Sequence, residues 1–377
     1  LISVVKNVMV DRDKTLKNEI ILDAISIGSL LPGPLAVNIV AYIGYTLKKT
    51  TGAVISMMAI LLPAVSAMLI LSWLYFRFGI NQRFGTVLLY ITGAVAAIIF
   101  ATALQLYSQL LKGSWMKTWL AIAGAIAVVL SNSFSLTLLL IVAGGMAGWF
   151  LKLQGGANGS GKPAKYLPAG KRKFSAGSAT AWLILVCLLL LFVSGAYKFT
   201  DIIIVKIALI FSGISLSLFG GGYVMIPIMQ SLFVSELHWL TQQEFIDAIA
   251  FSQLTPGPIL VSATFIGYKL YGLVGALLAT FSIFTPSAVL MIMVSKIYSS
   301  ISHIQNVKHI LAGVKSVVIG LVAGAAIKIG IQIHWTVSLG LIAAASFVML
   351  YFYKISPVYI ILCCAVAGMV LWYFNIG

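Results

Sequence analysis

Long apolar runs alternate with short polar stretches along almost the whole chain, and this pattern predicts a series of membrane-crossing helices. The runs at 180–197 and 273–294 are long enough, at about 1.5 Å per residue, to cross a hydrocarbon core of about 30 Å. Similar runs lie near 50–76, 84–110, 115–131 and 134–152, and again near 308–331, 334–352 and 356–374. We therefore expect an all-α polytopic membrane protein.

Two further apolar regions of the chain contain the same interruption. "LLPGPLAVN" includes Pro32-Gly33-Pro34, and "LTPGPILVS" includes Pro256-Gly257-Pro258. Proline removes a backbone donor and glycine adds conformational freedom, so each motif predicts a broken helix. The flanking segments are too short to cross individually, so we expect a break at membrane depth. A chain that dips into the membrane and returns is the alternative.

An internal repeat relates the two halves of the chain. Residues 22–63 align with residues 246–286, with an offset of 224 positions before the PGP motif and 223 after Gly44. The matched positions are Asp23 and Asp247, the two PGP motifs, Gly44-Tyr45 and Gly267-Tyr268, Gly52 and Gly275, and Pro63 and Pro286. Chance similarity between two apolar segments would match Leu and Ile rather than these residues. The chain is therefore a duplication.

The repeat predicts four segments. These are a first transmembrane repeat (1–153), a basic cytoplasmic linker (154–179), an unpaired transmembrane helix (180–200) and a second transmembrane repeat (201–377). The register places the first copy of the glycine run before residue 1, so we expect a first helix to be missing from the numbered chain. An unpaired helix between the halves would turn the second repeat upside down, and we expect an inverted topology.

Composition narrows the function classes. With 61% hydrophobic and 8% charged residues, the chain cannot cover the surface of a soluble globule. The net charge of +16 comes from scattered basic clusters, which predict membrane topology rather than nucleic-acid binding. Lys171, Arg172 and Lys173 in the linker could alternatively contact lipid headgroups. The expected partner is the lipid bilayer, without nucleic acid, and the sequence is compatible with a homodimer.

Catalysis and metal binding have little support in the sequence. The three cysteines, Cys187, Cys363 and Cys364, fall in apolar spans and offer no zinc spacing. The four histidines form no HExxH pattern, and neither a nucleophile motif nor an ATP-binding loop is visible. We expect a protein that is not an enzyme and needs no cofactor and no resident metal.

The PGP motifs suggest an anion site. Pro34 and Pro258 suit the first position of a helix, whose free N–H groups and positive dipole end favour negative charge. The small polar or flexible residues around the motifs are Ser29, Asn38, Gly220, Gly221, Gly222, Ser252, Gln253, Thr255, Ser262 and Thr264. No acidic residue closely flanks either motif, which argues against a cation. The alternative is a proline kink with glycines for tight packing, but two matching breaks favour a transport site.

Three ionisable residues are further candidates. Asp23 and Asp247 are paired carboxylates that could couple transport to protons, and their alternative role is that of ordinary acids near a helix N-terminus. Lys315 lies seven residues beyond Lys308 inside an apolar span, about 10 Å deeper. A charge at that depth is expensive, so Lys315 is a candidate substrate ligand, with snorkelling to the interface as the alternative.

The combination of "FGGGYVMIP", "WLTQQEFIDAIAFSQLTPGPILVSATFIGYKLYGLVGALLAT" and "FTPS" resembles the chromate ion transporter family in its long two-domain form. The resemblance implies a secondary transporter in a bacterial inner membrane. It would export chromate, a tetrahedral dianion shaped like sulfate, and confer chromate resistance. The first repeat lacks the FGGG sequence, and Ser29 replaces the glutamine found at 253, so we expect the second repeat to carry the site. An importer or exchanger of sulfate or another oxyanion, and a non-transporting membrane scaffold, are the rival functions.

Overall fold

The computed structural model describes residues 9, 12, 16, 18–79, 85–111, 113–131, 133–153, 200–219, 222–295, 305–333 and 335–373. The predicted linker (154–179), almost all of the predicted unpaired helix (180–200), and Gly220 and Gly221 lie outside the described residues.

Helices account for all the regular structure of the described residues. The first half contains α1 (Asn18–Leu30), α2 (Leu35–Phe78), α3 (Gly85–Leu110), α4 (Trp115–Leu130) and α5 (Phe134–Phe150). The second half begins with α6 (Ile203–Ser217), a 3-10 turn (Gly222–Val224), α7 (Met225–Met229) and a π-helical turn (Gln230–Glu236). It continues with α8 (Gln242–Leu254), a 3-10 turn (Ile259–Val261), α9 (Ser262–Ser295), α10 (Gln305–Gln332), α11 (Val337–Tyr351) and α12 (Pro357–Tyr373).

Four helical stretches are long and apolar enough to cross a membrane, namely Leu35–Phe78, Val87–Leu110, Ile259–Ser295 and Asn306–Gln332. The shorter apolar helices α4, α5, α6, α11 and α12 accompany them. The chain is therefore an all-α, multi-pass membrane protein, as its hydrophobic pattern predicts.

Both α2 and α9 reverse direction at equivalent positions. Lys48 and Lys49 have φ/ψ values of −137°/34° and 51°/−138°, and Tyr271 and Gly272 have −151°/39° and 54°/−146°. In a straight helix, Gly44 and Gly52 would lie about 12 Å apart, yet their backbones are in contact. Helix α2 is therefore a short arm (35–47) followed by a long segment (50–78). In the second repeat, the 3-10 turn and the first part of α9 form the short arm (259–270), and the rest of α9 is the long segment (273–295).

The chain also turns back at each PGP motif. Ile21 and Ile27 of α1 share a hydrophobic cluster with Ile39 and Ile43 of the arm after the first motif. In the second repeat, the Lys269 Nζ atom lies 2.6 Å and 2.5 Å from the two carboxylate oxygens of Glu244. These contacts require antiparallel arms. Of the two arrangements expected from the sequence, the structure has the returning one, and we call residues 18–47 and 242–270 the first and second PGP hairpins.

A third hairpin, which the sequence patterns did not predict, precedes the second PGP hairpin. Phe211 on α6 lies against Phe233, with their ring centroids 5.2 Å apart, and Phe233 stacks on Trp239 at 5.6 Å. The described arms of this glycine hairpin, 203–219 and 222–236, therefore run antiparallel.

The long segment 50–78 connects the two PGP hairpins. It starts at the base of the first PGP hairpin, and midway along it Ala64 lies against Gly257 at the tip of the second. At its far end the Tyr75 hydroxyl donates to Asp247, and Phe76 stacks on Tyr268. The bases of the two hairpins thus lie at opposite ends of this segment.

The segment 273–295 repeats this path in the opposite sense. Ser287, the counterpart of Ala64, lies against Gly33 at the tip of the first PGP hairpin. Met291 then packs into the cluster formed by Ile21, Ile27 and their neighbours. Each long segment therefore passes the tip of the other repeat's hairpin.

The remaining helices also pack across the two repeats. Helix α10 packs against α4 and α5, while α3 packs against α11 and α12. Small residues permit close approach, since Gly313 lies against Gly144 and Gly320 against the Ala121 backbone. Helix α8 contacts α3 and α12, so these helices also support the second PGP hairpin.

Candidate anion site at the hairpin tips

The two PGP motifs meet the glycine hairpin at Leu218 and at residues 222–224. The Gly33 N–H of the first PGP motif donates to the Leu218 carbonyl at 2.7 Å. Gly222 lies against the start of the arm after the second motif, where an added Cβ would be 2.6 Å from Ile259 Cγ2. The Tyr223 hydroxyl donates to Gln253 Oε1 at 3.2 Å. Both motifs and the glycine hairpin therefore form one junction.

The first motif is closed by hydrogen bonds within the protein. Pro32, Gly33 and Pro34 are buried, and Gly33 has a φ of 110°, which favours glycine. The buried Asn38 amide donates from Nδ2 to the Pro32 carbonyl at 3.2 Å. Its Oδ1 accepts a bond from the Ser287 hydroxyl at 3.1 Å. Four predicted site residues are thus brought together here, in a turn whose polar groups are paired.

The second motif also turns the chain back, but Gly257 does not have the positive φ of Gly33, and the side-chain partners differ. Pro256 and Gly257 are exposed, and Pro258 is half-buried. The Thr255 hydroxyl donates to the Ser252 carbonyl at 3.0 Å, so its proton is used to cap α8. The Gly257 N–H donates to the Thr255 carbonyl at 2.9 Å.

Two side chains flanking the second motif retain unused donors. Gln253 and Ser262 are 7% and 1% exposed. Gln253 Nε2 and Ser262 Oγ have no hydrogen-bond partner among the described residues. A buried donor without a partner costs about 1–3 kcal/mol, so these atoms indicate a place for a ligand or an ordered water.

The other predicted polar residues near this motif are engaged in local bonds. The Ser252 hydroxyl donates to the Ile249 carbonyl at 2.7 Å. The Thr264 and Thr280 hydroxyls are 2.8 Å apart and join the arm to the long segment of α9. Gln253 and Ser262 are therefore the two predicted side chains here whose donors face no protein acceptor within the described part of the chain.

The local electrostatics suit an anion. The arm after Pro258 begins with N–H groups that lack intrahelical acceptors and lie at the positive end of the helix dipole. Asp247 lies eight residues before Thr255, about 12 Å along α8. The described residues contain no group of three or more His, Cys, Asp or Glu side chains that could hold a metal ion. The junction thus offers neutral donors.

The two predicted coupling carboxylates lie at the hairpin bases, away from the motifs. Asp247 is fully buried and accepts hydrogen bonds from the Tyr75 hydroxyl at 2.8 Å and from Gln243 Nε2 at 2.9 Å. Gln243 Nε2 also lies 3.0 Å from the Thr92 hydroxyl. Asp23 is buried on α1 of the first PGP hairpin. Proton coupling through either residue stays a prediction.

Lys315 lies on α10, one helical turn before Ile319. Ile319 packs with Leu111 and Ala121 in a cluster at the end of α3. The contacts described above between the motifs and the glycine hairpin involve other residues, and the role of Lys315 as a substrate ligand stays a prediction.

Three contributors to the junction were missed by sequence reasoning. Tyr223 follows the glycine run directly, and its adjacency to a predicted site was the available signal. Ser287 follows Pro286, which the repeat matches to Pro63, so Ser287 and Ala64 could have been compared. The sequence does not point to the Leu218 carbonyl, because every residue has a backbone carbonyl.

Comparison with known proteins agrees with the resemblance in the motifs. The sequence profile of a family described as chromate transporter matches residues 1–149 and 205–369. A chromate transport protein of Cupriavidus metallidurans is 27% identical over 92% of this chain and 82% of its own length. A chromate transport protein of Pseudomonas aeruginosa is 26% identical over 97% of this chain and 86% of its own length.

A third relative, described as a probable chromate transport protein of Synechococcus elongatus, is 26% identical over 93% of this chain and 85% of its own length. No solved structure shows a significant match to the chain. The family profile covers both repeats and well over half of the residues. The chain therefore belongs to the chromate transporter family.

Proposed function

We propose that this protein is a secondary transporter of chromate or a similar tetrahedral oxyanion, and that the anion binds at the second PGP motif. The observation that carries the proposal is a pair of buried donors on the two arms beside the motif, Gln253 Nε2 and Ser262 Oγ, which have no hydrogen-bond partner in the described part of the chain. Hydrogen bonds from neutral donors to an ionised ligand are worth about 1.5–3 kcal/mol each.

The form of the site supports an oxyanion over a cation. Gln253 contributes an amide N–H and Ser262 a hydroxyl, and the arm after Pro258 begins with backbone N–H groups at the positive end of the helix dipole. A tetrahedral dianion presents four oxygens, which can accept from several such donors at once. The Tyr223 hydroxyl donates to Gln253 Oε1, and this bond leaves the amide nitrogen of Gln253 directed towards another partner.

The packing also supports inverted repeats. Segment 50–78 is long enough to span the bilayer, and the bases of the two PGP hairpins lie at its opposite ends. The hairpins then enter the membrane from opposite sides and bring their motifs to its middle. Movement of one hairpin against the other would expose the junction to either side in turn, which is the requirement for alternating access.

The direction of transport follows from energetics. An interior-negative potential is worth about 2.3 kcal/mol per charge per 100 mV, so a leaving dianion gains about 4.6 kcal/mol without ATP. This supports export from the cytoplasm across a bacterial inner membrane, which would confer chromate resistance. Import or exchange of sulfate would use the same donors and is the second candidate, because sulfate has the same shape and charge.

Flux into proteoliposomes tests the transport function. With the purified full chain and an inside-positive potential, radiolabelled chromate should accumulate, and unlabelled sulfate should compete in proportion to its affinity. Uptake equal to that of protein-free liposomes would support the rival scaffold function. A stronger preference for sulfate than for chromate would favour the second candidate.

The Gln253→Leu variant tests the location of the site. It keeps the side-chain size but removes the amide donor, so chromate flux or affinity should fall about tenfold or more. Gln332→Leu is the matched control, since Gln332 is exposed at the end of α10, and it should transport like the parent. Equal flux in both variants, with equal amounts of folded protein, would place the site elsewhere.

A further inference from the structure

The two PGP motifs match in sequence, but their polar groups differ in their hydrogen-bond partners. Register places Asn38 opposite Ser262 and Ser287 opposite Ala64. At the first motif, Asn38 reaches the Pro32 carbonyl and Ser287 reaches Asn38. These two bonds join both arms of the first PGP hairpin and tie them to the long segment of the other repeat.

The same closure cannot form at the second motif. Ser262 carries a hydroxyl where asparagine carries a longer carboxamide, and its Oγ atom makes no hydrogen bond within the described residues. Ala64 has no hydroxyl, and it meets Gly257 through its methyl group alone. The Pro256 carbonyl therefore lacks the amide partner that the Pro32 carbonyl has from Asn38.

A second difference lies on the preceding arms. Gln253, next to the last residue of α8, has an Nε2 atom without a partner among the described residues, whereas its counterpart in the first repeat is Ser29. Gln253 is also oriented by Tyr223 from the glycine hairpin. The second motif thus gathers donors that have no protein acceptor among the described residues, while the Asn38 amide and the Ser287 hydroxyl at the first motif each donate to a protein acceptor.

We infer that each chain holds one oxyanion site, formed at the second motif, and that Asn38 and Ser287 keep the first motif permanently closed as its fixed counterpart. This inference rests on the proposed function. The residue at the matched positions 38 and 262 then decides whether a PGP motif binds an anion. Asparagine at this position closes the turn, and serine leaves it open.

Equilibrium dialysis of radiolabelled chromate against the purified full chain measures the number of sites. We expect one chromate bound per chain. The pair of substitutions Ser262→Asn and Ala64→Ser transfers the closure to the second motif, and it should weaken chromate binding at least tenfold. The pair Asn38→Ser and Ser287→Ala removes the closure from the first motif and should leave the affinity of the existing site unchanged.

A smaller change guards against misfolding of the paired variants. Ser262→Ala removes only the hydroxyl, and it should also weaken chromate binding while the protein keeps the size-exclusion profile of the parent.

Two equivalent sites in the parent, or undiminished binding in the Ser262→Asn and Ala64→Ser variant, would overturn the single-site inference alone. Loss of binding in the Asn38→Ser and Ser287→Ala variant would move the site to the first motif. No chromate binding to the parent would refute the proposed function, and this inference with it.

Discussion

Lys49 occupies a backbone conformation that glycine holds at the equivalent position of the second repeat. Its φ of 51° and ψ of −138° nearly match the 54° and −146° of Gly272. A side chain at such angles costs about 1–3 kcal/mol, and the surrounding structure must compensate for it. The tight turn survives because Gly44 and Gly52 allow the two helical segments to touch.

The Lys49→Gly variant should therefore be more stable than the parent, by about 1 kcal/mol after the entropic cost of glycine is subtracted. Lys49 is exposed, so little packing is lost. The measurement is the temperature at which the protein in detergent loses its monodisperse size-exclusion peak. Gly272→Ala is the matched control and should lower that temperature. A lower temperature for Lys49→Gly would show that the turn is not strained.

At the same scale, the sequence predicted which residues flank the junction, but not which of their side chains would make hydrogen bonds within the protein. Gln253 and Thr255 look equally suited to bind an anion when read along the chain. In the structure the Thr255 hydroxyl caps its own helix, while Gln253 Nε2 has no acceptor among the residues that the structure describes. Local side-chain-to-backbone bonds of this kind depend on where α8 ends, which the PGP motif locates only to within a residue or two.

Among the elements, the second PGP hairpin is anchored to the first repeat at its base. Asp247 on α8 accepts from Tyr75 at the end of segment 50–78, and Gln243 bonds both Asp247 and Thr92 on α3. Tyr75 also contacts Phe265 on the returning arm, at a ring separation of 5.2 Å. A movement that opens the junction would have to keep these contacts or exchange them.

Removing the Tyr75 hydroxyl should weaken this anchor. Tyr75→Phe leaves a buried carboxyl group with one donor fewer, so we expect a loss of about 1–3 kcal/mol in stability and a lower unfolding temperature in detergent. Tyr359→Phe is the control, because Tyr359 is exposed on α12. When Asp247→Asn is combined with Tyr75→Phe, the two effects should not add, since the residues are bonded partners. Additive effects would argue against the anchor.

The elements differed in how far sequence could locate them. Hydrophobic run length placed α3, α4, α5, α10, α11 and α12 to within a few residues, because polar residues, glycine or proline mark the ends of these apolar runs. The returning path of the PGP hairpins was left open as one of two alternatives. Arms of about a dozen residues look the same whether the chain continues or turns back, and the deciding contact, between Glu244 and Lys269, is tertiary. The glycine hairpin was missed for the same reason.

For the whole molecule, the duplication determines much of the architecture. Each long segment passes the hairpin tip of the other repeat, and α3 and α10 exchange their packing partners between repeats. The matched glycines and prolines made the duplication visible in the sequence. The relative orientation of the repeats across the membrane was harder to predict, because Arg77 and Arg83 do not follow the charge distribution that an inverted topology would give to the other basic residues.

Cysteine labelling tests the inverted orientation. The turns at Lys48 and Tyr271 are exposed and equivalent, and the hairpin bases beside them lie at opposite ends of segment 50–78. The lysines at 48 and 49 favour the cytoplasmic side for the first turn. In a variant whose native cysteines are replaced by alanine, Lys48→Cys should react with a membrane-impermeant maleimide in inside-out vesicles, and Tyr271→Cys should react in spheroplasts.

Lys152→Cys is the comparison position, because Lys152 is exposed at the end of α5, just before the basic segment that the positive-inside rule predicts to be cytoplasmic. It should label together with Lys48→Cys. If Lys48→Cys and Tyr271→Cys instead react from the same side, the two PGP hairpins enter the membrane together. The anion would then have to reach the second motif by a path that the opposed hairpins do not supply, and alternating access by inverted repeats would have to be abandoned even if chromate flux remained.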